Sequence, residues 1–242
     1  MPKPIIIQGA LQSELDYILS VLDVKNKTED AGFVFYECLY NGYPLVISKT
    51  KEGEICAAIA TVLAIKKYNP VFIINQGTAG AFDMRLNIGD VVVGERICYI
   101  SQFATEPDKE VEPLNPWKLN EYRTIDGEVM SYRCDERFLN MLKSSQALKS
   151  ENVYFDTVGS GDVWTKSPDL IKKYNSEYGV TCEGMECTGV YFAANSLGVP
   201  AVTMRVISNN EITNQPFDET TSLHSQRLAL KLAEEYINEV ME

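Results

Sequence analysis

Residues 199–208, VPAVTMRVIS, form an apolar run broken mainly by Thr203 and Arg205, and it stops at Asn209, Asn210 and Glu211. PIIIQGA near the start and VFIIN at 71–75 have the same character. Strands buried on both faces read as such near-continuous runs, because in parallel sheets helices cover both sides. Their polar ends commonly face a crevice. Between the runs lie stretches with apolar residues at helical spacing: LQSELDYILSVL, GEICAAIATVLAIKKY, DERFLNMLKSSQAL, SPDLIKKYNSEYG, ECTGVYFAANSLG and SLHSQRLALKLAEEYINEV. Ser167 and Pro168 mark one helix start, as N-cap and first helical residue. FVFYECLYNGYPLVISKT alternates and turns at Asn41-Gly42, so it predicts a hairpin. The alternation predicts an α/β layered domain with a mixed sheet, and one domain over 1–242.

Four clusters follow these strands: Gly9 to Glu14, Gln76 to Gly80, Ser160-Gly161-Asp162, and Arg205 to Glu211. A fifth, Glu183 to Glu186, precedes a helix. Each alone reads as a turn, and together they predict one crevice. The GTAG segment offers backbone N–H groups to an anion. It lacks the Gly-Lys-Ser/Thr of a Walker loop and is not G-x-G-x-x-G. Residues 104–126, with three prolines and many charges, read as a long loop.

Composition narrows the chemistry. The net charge of −12 argues against nucleic acid and anionic membranes as partners. No stretch approaches the ~20 apolar residues of a membrane span, and the apolar run in MPKPIIIQGA is too short for a secretion signal. The six cysteines form no C-x-x-C pair and read as buried thiols of a cytoplasmic protein. The one histidine, His224, reads as a helix-surface residue. Histidine triads and metal sites are thereby disfavoured, and acid–base work falls to carboxylates, amides, lysine or tyrosine. No cofactor or metal is expected.

NQGTAGAF, NIGDVVVGE, SGDVW and GMECTGVYFAANSLGVPAVTMRVIS occur in that order. Together they resemble the nucleoside phosphorylase and nucleosidase family, and within it the 5′-methylthioadenosine/S-adenosylhomocysteine nucleosidases. The resemblance runs from GALQSE to PFDE, apart from the long loop. It implies a three-layer α/β/α phosphorylase/hydrolase-like fold, cleavage of a purine nucleoside at its N-glycosidic bond, and a homodimer. It also implies roles. Glu14 stands near the attacking water. Glu186 and Met185 hold the ribose, and Arg205 orients Glu186 and the water. Thr78, Ala79 and Gly80 lie beside sugar and base, Trp164 stacks on the purine, and Phe217 covers the ribose. Without the resemblance, a solvated helix residue is the alternative reading of Glu14, and core aromatics that of Trp164 and Phe217.

The phosphorylase branch binds phosphate with arginines in the N-terminal loop and before the Gly-Ser turn. This chain has QGALQSE and Asn75 there. Water is therefore the expected nucleophile, with a phosphorylase or a non-catalytic nucleoside-binding protein as alternatives. The resemblance also marks departures. The methylthioadenosine nucleosidases carry an aspartic acid, which protonates N7, where this chain has Asn209. An amide donates a hydrogen bond but not a proton; it suits the O6 of a 6-oxopurine, and flipped it also pairs with adenine, giving binding without proton transfer. Futalosine hydrolases, which act on a 6-oxopurine, resemble this chain in having Asn there. Thr50-Lys51-Glu52-Gly53 replaces a Gly-Ile-Gly-like turn, and Glu52 suits a polar 5′ substituent. Gly184 stands where another acidic residue is common.

Overall fold

The structure, a computed structural model, describes residues 2–101, 103–105, 119–121 and 130–241, the two short segments through their backbone only. The expected loop at 104–126 lies almost wholly outside the described residues.

The strands are β1 (Ile5–Gly9), β2 (Asp23–Asp30), β3 (Phe33–Tyr40), β4 (Tyr43–Lys49), β5 (Phe72–Ala81), β6 (Val91–Tyr99), β7 (Phe103–Thr105), β8 (Leu119–Glu121), β9 (Ser131–Arg133), β10 (Val153–Ser160), β11 (Val180–Gly184) and β12 (Ala201–Asn210). The helices are α1 (Asp16–Val21), α2 (Glu54–Tyr68), α3 (Glu136–Ser144), α4 (Pro168–Tyr178), α5 (Cys187–Ser196) and α6 (Thr221–Met241). The main sheet runs β11-β10-β6-β12-β5-β1-β4-β3-β2 and is mixed, and β11 also pairs with β5. That last pairing closes β5, β12, β6, β10 and β11 into a ring.

Period-two alternation sorts side chains between two cores. Ile5 and Ile7 pack with Leu15, Phe138, Leu142, Leu228 and Ile237, under α1, α3 and α6. Ile6 points the other way, into a core with Ala57, Ala60 and Ala64 of α2 and Val190 and Ala194 of α5. Helices on both sides of one sheet make the expected three layers. No described helix is long and apolar enough to cross a membrane.

Three sequence expectations change. VFIIN and the Gly-rich segment are not strand plus turn but one strand, β5, running to Ala81. Residues 78–81 pair with β12, and 80–81 also with β11, so their backbone is committed to the sheet and does not form an anion cradle. β2 is a strand of polar, largely exposed residues with no apolar alternation to announce it. β11 is a short strand inside what read as a pre-helix cluster.

Candidate active site

The site is assembled around Arg205. Its β12 position is the register partner of Gly77 on β5. A Cβ on Gly77 would lie 2.9 Å from Oε1 of Glu14 and 3.2 Å from Nη1 of Arg205, so the absent side chain is what lets the two groups converge. Gly184 does the same from β11, where a Cβ would fall 2.8 Å from Arg205 Nε. An acidic side chain at 184 would displace the guanidinium.

Arg205 is 1% exposed, and a buried guanidinium needs partners. Nη2 donates to Asn75 Oδ1 at 2.6 Å and to Cys187 Sγ at 3.0 Å, and lies 3.6 Å from Oε2 of Glu186. Thr203 Oγ1 also donates to Asn75 Oδ1 at 3.2 Å. Asn75, noted in the sequence only for not being an arginine, thus holds the arginine that is present.

Glu14 closes a 3-10 turn, Gln12–Glu14, just after β1. Its Oε2 accepts the N–H groups of Ala10 and Leu11 at 2.8 and 3.1 Å. Oε1 is left on the Gly77 side. Gln76 Nε2 donates to the Glu14 carbonyl at 2.8 Å, tying the turn to β5.

Glu186 sits at the N-terminus of α5, and its Oε1 accepts the Gly53 N–H at 3.4 Å. Burial raises its pKa, Arg205 pulls it back, and Glu14 pushes it up again. Behind Gly53, Asp162 Oδ1 accepts the Glu54 N–H at 2.8 Å, and Glu54 bonds to Ser160 and to the Gly189 N–H. Burial pushes the Glu54 carboxyl up to about 7. The Ser160-Gly161-Asp162 cluster, expected at the crevice, therefore stands behind it and fixes the start of α2.

Asn209 owes its placement to a bulge. Ile207 pairs with Ala79 and Asn209 with Gly80, so Ser208 is the extra residue. Bulges re-aim side chains and recur beside active sites. Asn209 Nδ2 donates to Glu211 Oε1 at 3.3 Å. An ionised carboxylate only accepts, so this contact orients the amide with its nitrogen towards Glu211.

One cavity, about 250 Å³, is lined by Glu14, Thr78, Ala79, Gly80, Trp164, Met185, Glu186, Asn209 and Phe217. Every site residue expected from the sequence lines it except Arg205, which lies behind Glu186. Trp164 and Phe217 are half exposed with ring centroids 6.1 Å apart, which places them at the opening rather than in the core. Glu52 and Glu183 line it too. Glu183 had no role in the sequence reading, although an acid inside GVTCEGM is a buried-carboxylate signal. His224 lies elsewhere, 3.1 Å from Glu151.

The sequence profile of the phosphorylase superfamily matches residues 4–242. A 5′-methylthioadenosine/S-adenosylhomocysteine nucleosidase from Exiguobacterium sp. is 29% identical over 231 residues, covering 93% of this chain and 94% of its own. One from Bacillus cereus is 27% identical over 241 residues, covering 96% and 98%. Among solved structures, futalosine hydrolase of Helicobacter pylori superposes with a TM-score of 0.80 at 21% identity, covering 96% of this chain and 98% of its own. The 5′-methylthioadenosine/S-adenosylhomocysteine nucleosidase of the same organism, with butyl-thio-DADMe-Immucillin-A, gives 0.81 at 20% identity, covering 97% and 99%.

Proposed function

This chain belongs to the phosphorylase superfamily, and from that premise we propose that it is a purine nucleosidase, using water to cleave the N-glycosidic bond. The observation that carries this is the meeting in one cavity of a carboxylate held, among the described residues, through Oε2, a second carboxylate backed by a buried arginine, an aromatic pair and an amide. The names of the relatives point the same way.

In this reading Trp164 stacks on the base, and Phe217 covers the sugar. Glu186 accepts from the 2′- and 3′-hydroxyls, and its charge stabilises the oxocarbenium-like sugar as C1′–N9 breaks. Arg205 keeps Glu186 ionised against the cost of burial. Glu14, its Oε2 tied by two N–H groups, takes the proton of the attacking water at Oε1. The purine leaves with the bonding pair, and Asn209 meets the charge that spreads into its ring with a hydrogen bond.

Water is favoured over phosphate by charge. The described residues lining the cavity include four carboxylates, of Glu14, Glu52, Glu183 and Glu186, and neither lysine nor arginine. A phosphate dianion there would meet repulsion with no fork of donors to hold it.

A polar 5′ substituent fits the outer end. A second cavity shares Ala10, Leu11 and Glu52 with the first and adds Lys49 and Lys51. The protein is further proposed to be a cytoplasmic homodimer. Its six thiols are all free, and five are buried. Ile55, Ile59 and Val62 form an exposed apolar stripe on α2, beside exposed Phe192 on α5.

The test is chromatographic base release in phosphate-free buffer, from methylthioadenosine paired with methylthioinosine and from adenosine paired with inosine. Release without phosphate is expected. A strict phosphate requirement would move the protein to the phosphorylases, and tight binding without release would make it a binding protein.

A further inference from the structure

Glu183 and Asn209 have the same register partner. On one side of β5, Asn209 pairs with Gly80. On the other, Glu183 pairs with Gly80. Directly opposed residues in a sheet share a face, so both side chains rise on the same side. Gly80 between them raises nothing, and a Cβ there would lie 3.3 Å from Asn209 Nδ2. With neighbouring strands ~4.8 Å apart, the two Cα atoms stand roughly 10 Å from each other. That gap admits the edge of a flat heterocycle, and both residues line the cavity that Trp164 roofs.

The polar groups in this row are committed in a particular way. Glu183 is buried, 7% exposed, and among the described residues its carboxylate has no cationic partner. Its Oε2 accepts the Thr165 N–H at 2.8 Å and its Oε1 accepts the Thr165 hydroxyl at 2.6 Å. Burial raises its pKa, while these two bonds pull it down by favouring the anion. Both donors of Thr165 are thus spent on the carboxylate, and what remains for a ligand is its unused lone pairs. Across the row, Asn209 Nδ2 donates one hydrogen to Glu211 Oε1 at 3.3 Å, and its second N–H is the donor left for a ligand.

We infer that Glu183 is a specificity-determining residue that accepts the N1–H of a 6-oxopurine while Asn209 donates to O6. The inference rests on the nucleosidase reading and deepens it. In hypoxanthine or guanine, O6 is an acceptor and the adjacent N1 carries a hydrogen, which matches an amide donor beside a carboxylate acceptor. In adenine the pattern is inverted: the 6-amino group donates, and N1 offers a lone pair that faces the carboxylate. A site built to hydrogen-bond a group rejects the analogue lacking it far more strongly than an apolar site does. Glu183 therefore works by repelling the 6-aminopurine as well as by holding the 6-oxopurine.

The test compares kcat/KM for inosine and adenosine in the unaltered protein and in Glu183→Gln. Inosine is expected to lead by ~10²-fold or more, and the variant to narrow that ratio at least tenfold, because a glutamine amide can turn its NH₂ to adenine N1. An active variant with the ratio unchanged would overturn the inference while leaving the nucleosidase reading intact. Calorimetric binding of hypoxanthine, 1-methylhypoxanthine and adenine to the unaltered protein reads the same edge without hydrolysis and without a variant. Hypoxanthine binding that is lost on N1 methylation and absent for adenine supports the inference even in a protein that hydrolyses nothing. Equal binding of all three overturns it.

Discussion

Nη2 of Arg205 lies 3.6 Å from Oε2 of Glu186, behind the cavity wall that Glu186 forms. The arginine is almost fully buried, so its removal would strand a carboxylate held in a poorly hydrated place. Breaking one partner of such a pair costs about 3–5 kcal/mol. Arg205→Met is expected to lose stability on that order and to lose activity as Glu186 takes up a proton. Urea denaturation read beside kcat/KM measures both. Wild-type kcat in a folded variant would sink the role given to Arg205.

Gly77 leaves room for Glu14 and Arg205 together, with a Cβ predicted 2.9 Å from Oε1 of Glu14. Gly77→Ala should push the Glu14 carboxylate off the place from which it is proposed to take the proton of water. Glu14→Gln should remove the base altogether, with a loss of about 10²–10⁴-fold in kcat. The alanine variant is expected to fall between the two, measured by base release at saturating substrate. Full activity in Glu14→Gln would exclude Glu14 as the base.

Asn209→Asp places a carboxyl where Glu211 Oε1 already stands 3.3 Å from the amide nitrogen. The neighbouring charge favours the protonated acid, which is the form that can donate to N7. Release of adenine relative to hypoxanthine should rise by roughly 10²-fold, the lower end of a general acid's worth. Paired-substrate kinetics on the two proteins decide it, and an unmoved ratio would remove Asn209 from base recognition.

Ile55 and Ile59, 71% and 43% exposed, lie one turn apart on α2. That exposed apolar stripe is the proposed contact with a second copy of the chain. The unaltered protein is expected to be a dimer and Ile59→Lys a monomer, as read by light scattering over a dilution series. A monomeric unaltered protein would refute the assembly.

Glu54 has a pKa of about 7 in the folded chain, against 4.5 for the unperturbed group. The native state then holds the proton more tightly than the unfolded state. Its contribution to stability is complete below pH 4.5 and is lost as pH rises through about 7. Glu54→Gln should flatten that descent, with the difference between the two proteins greatest above neutrality. Thermal midpoints taken across the pH range give the comparison, and parallel curves would contradict a buried acid at 54.

Much of the molecule was legible because local composition carries it. The runs around Ile5–Ile7, Ile73–Ile74 and Val202–Val206 announce buried strands, and α2, α5 and α6 follow their helical periodicities. β2 was not legible, since DVKNKTED is polar and exposed and carries no apolar alternation, although it pairs with β3 along its length. Nor was the fate of Ser160 and Asp162, because a polar cluster after a strand looks the same whether it lines a cavity or caps the helix behind it.

The sequence by itself determined which chemical groups are present: carboxylates at 14, 183 and 186, an arginine at 205 inside an apolar run, an amide at 209 and a single histidine, at 224. It also marked the ends of β1 and β12, which lead to Glu14 and Asn209, since apolar runs must be buried and must stop somewhere. Only the tertiary structure decided which groups meet. Register is a long-range property, set by pairing between segments distant in sequence, and a one-residue bulge at Ser208 changes which face a side chain takes. That bulge, and the pairing of β11 with β5, bring Asn209 and Glu183 to either side of Gly80.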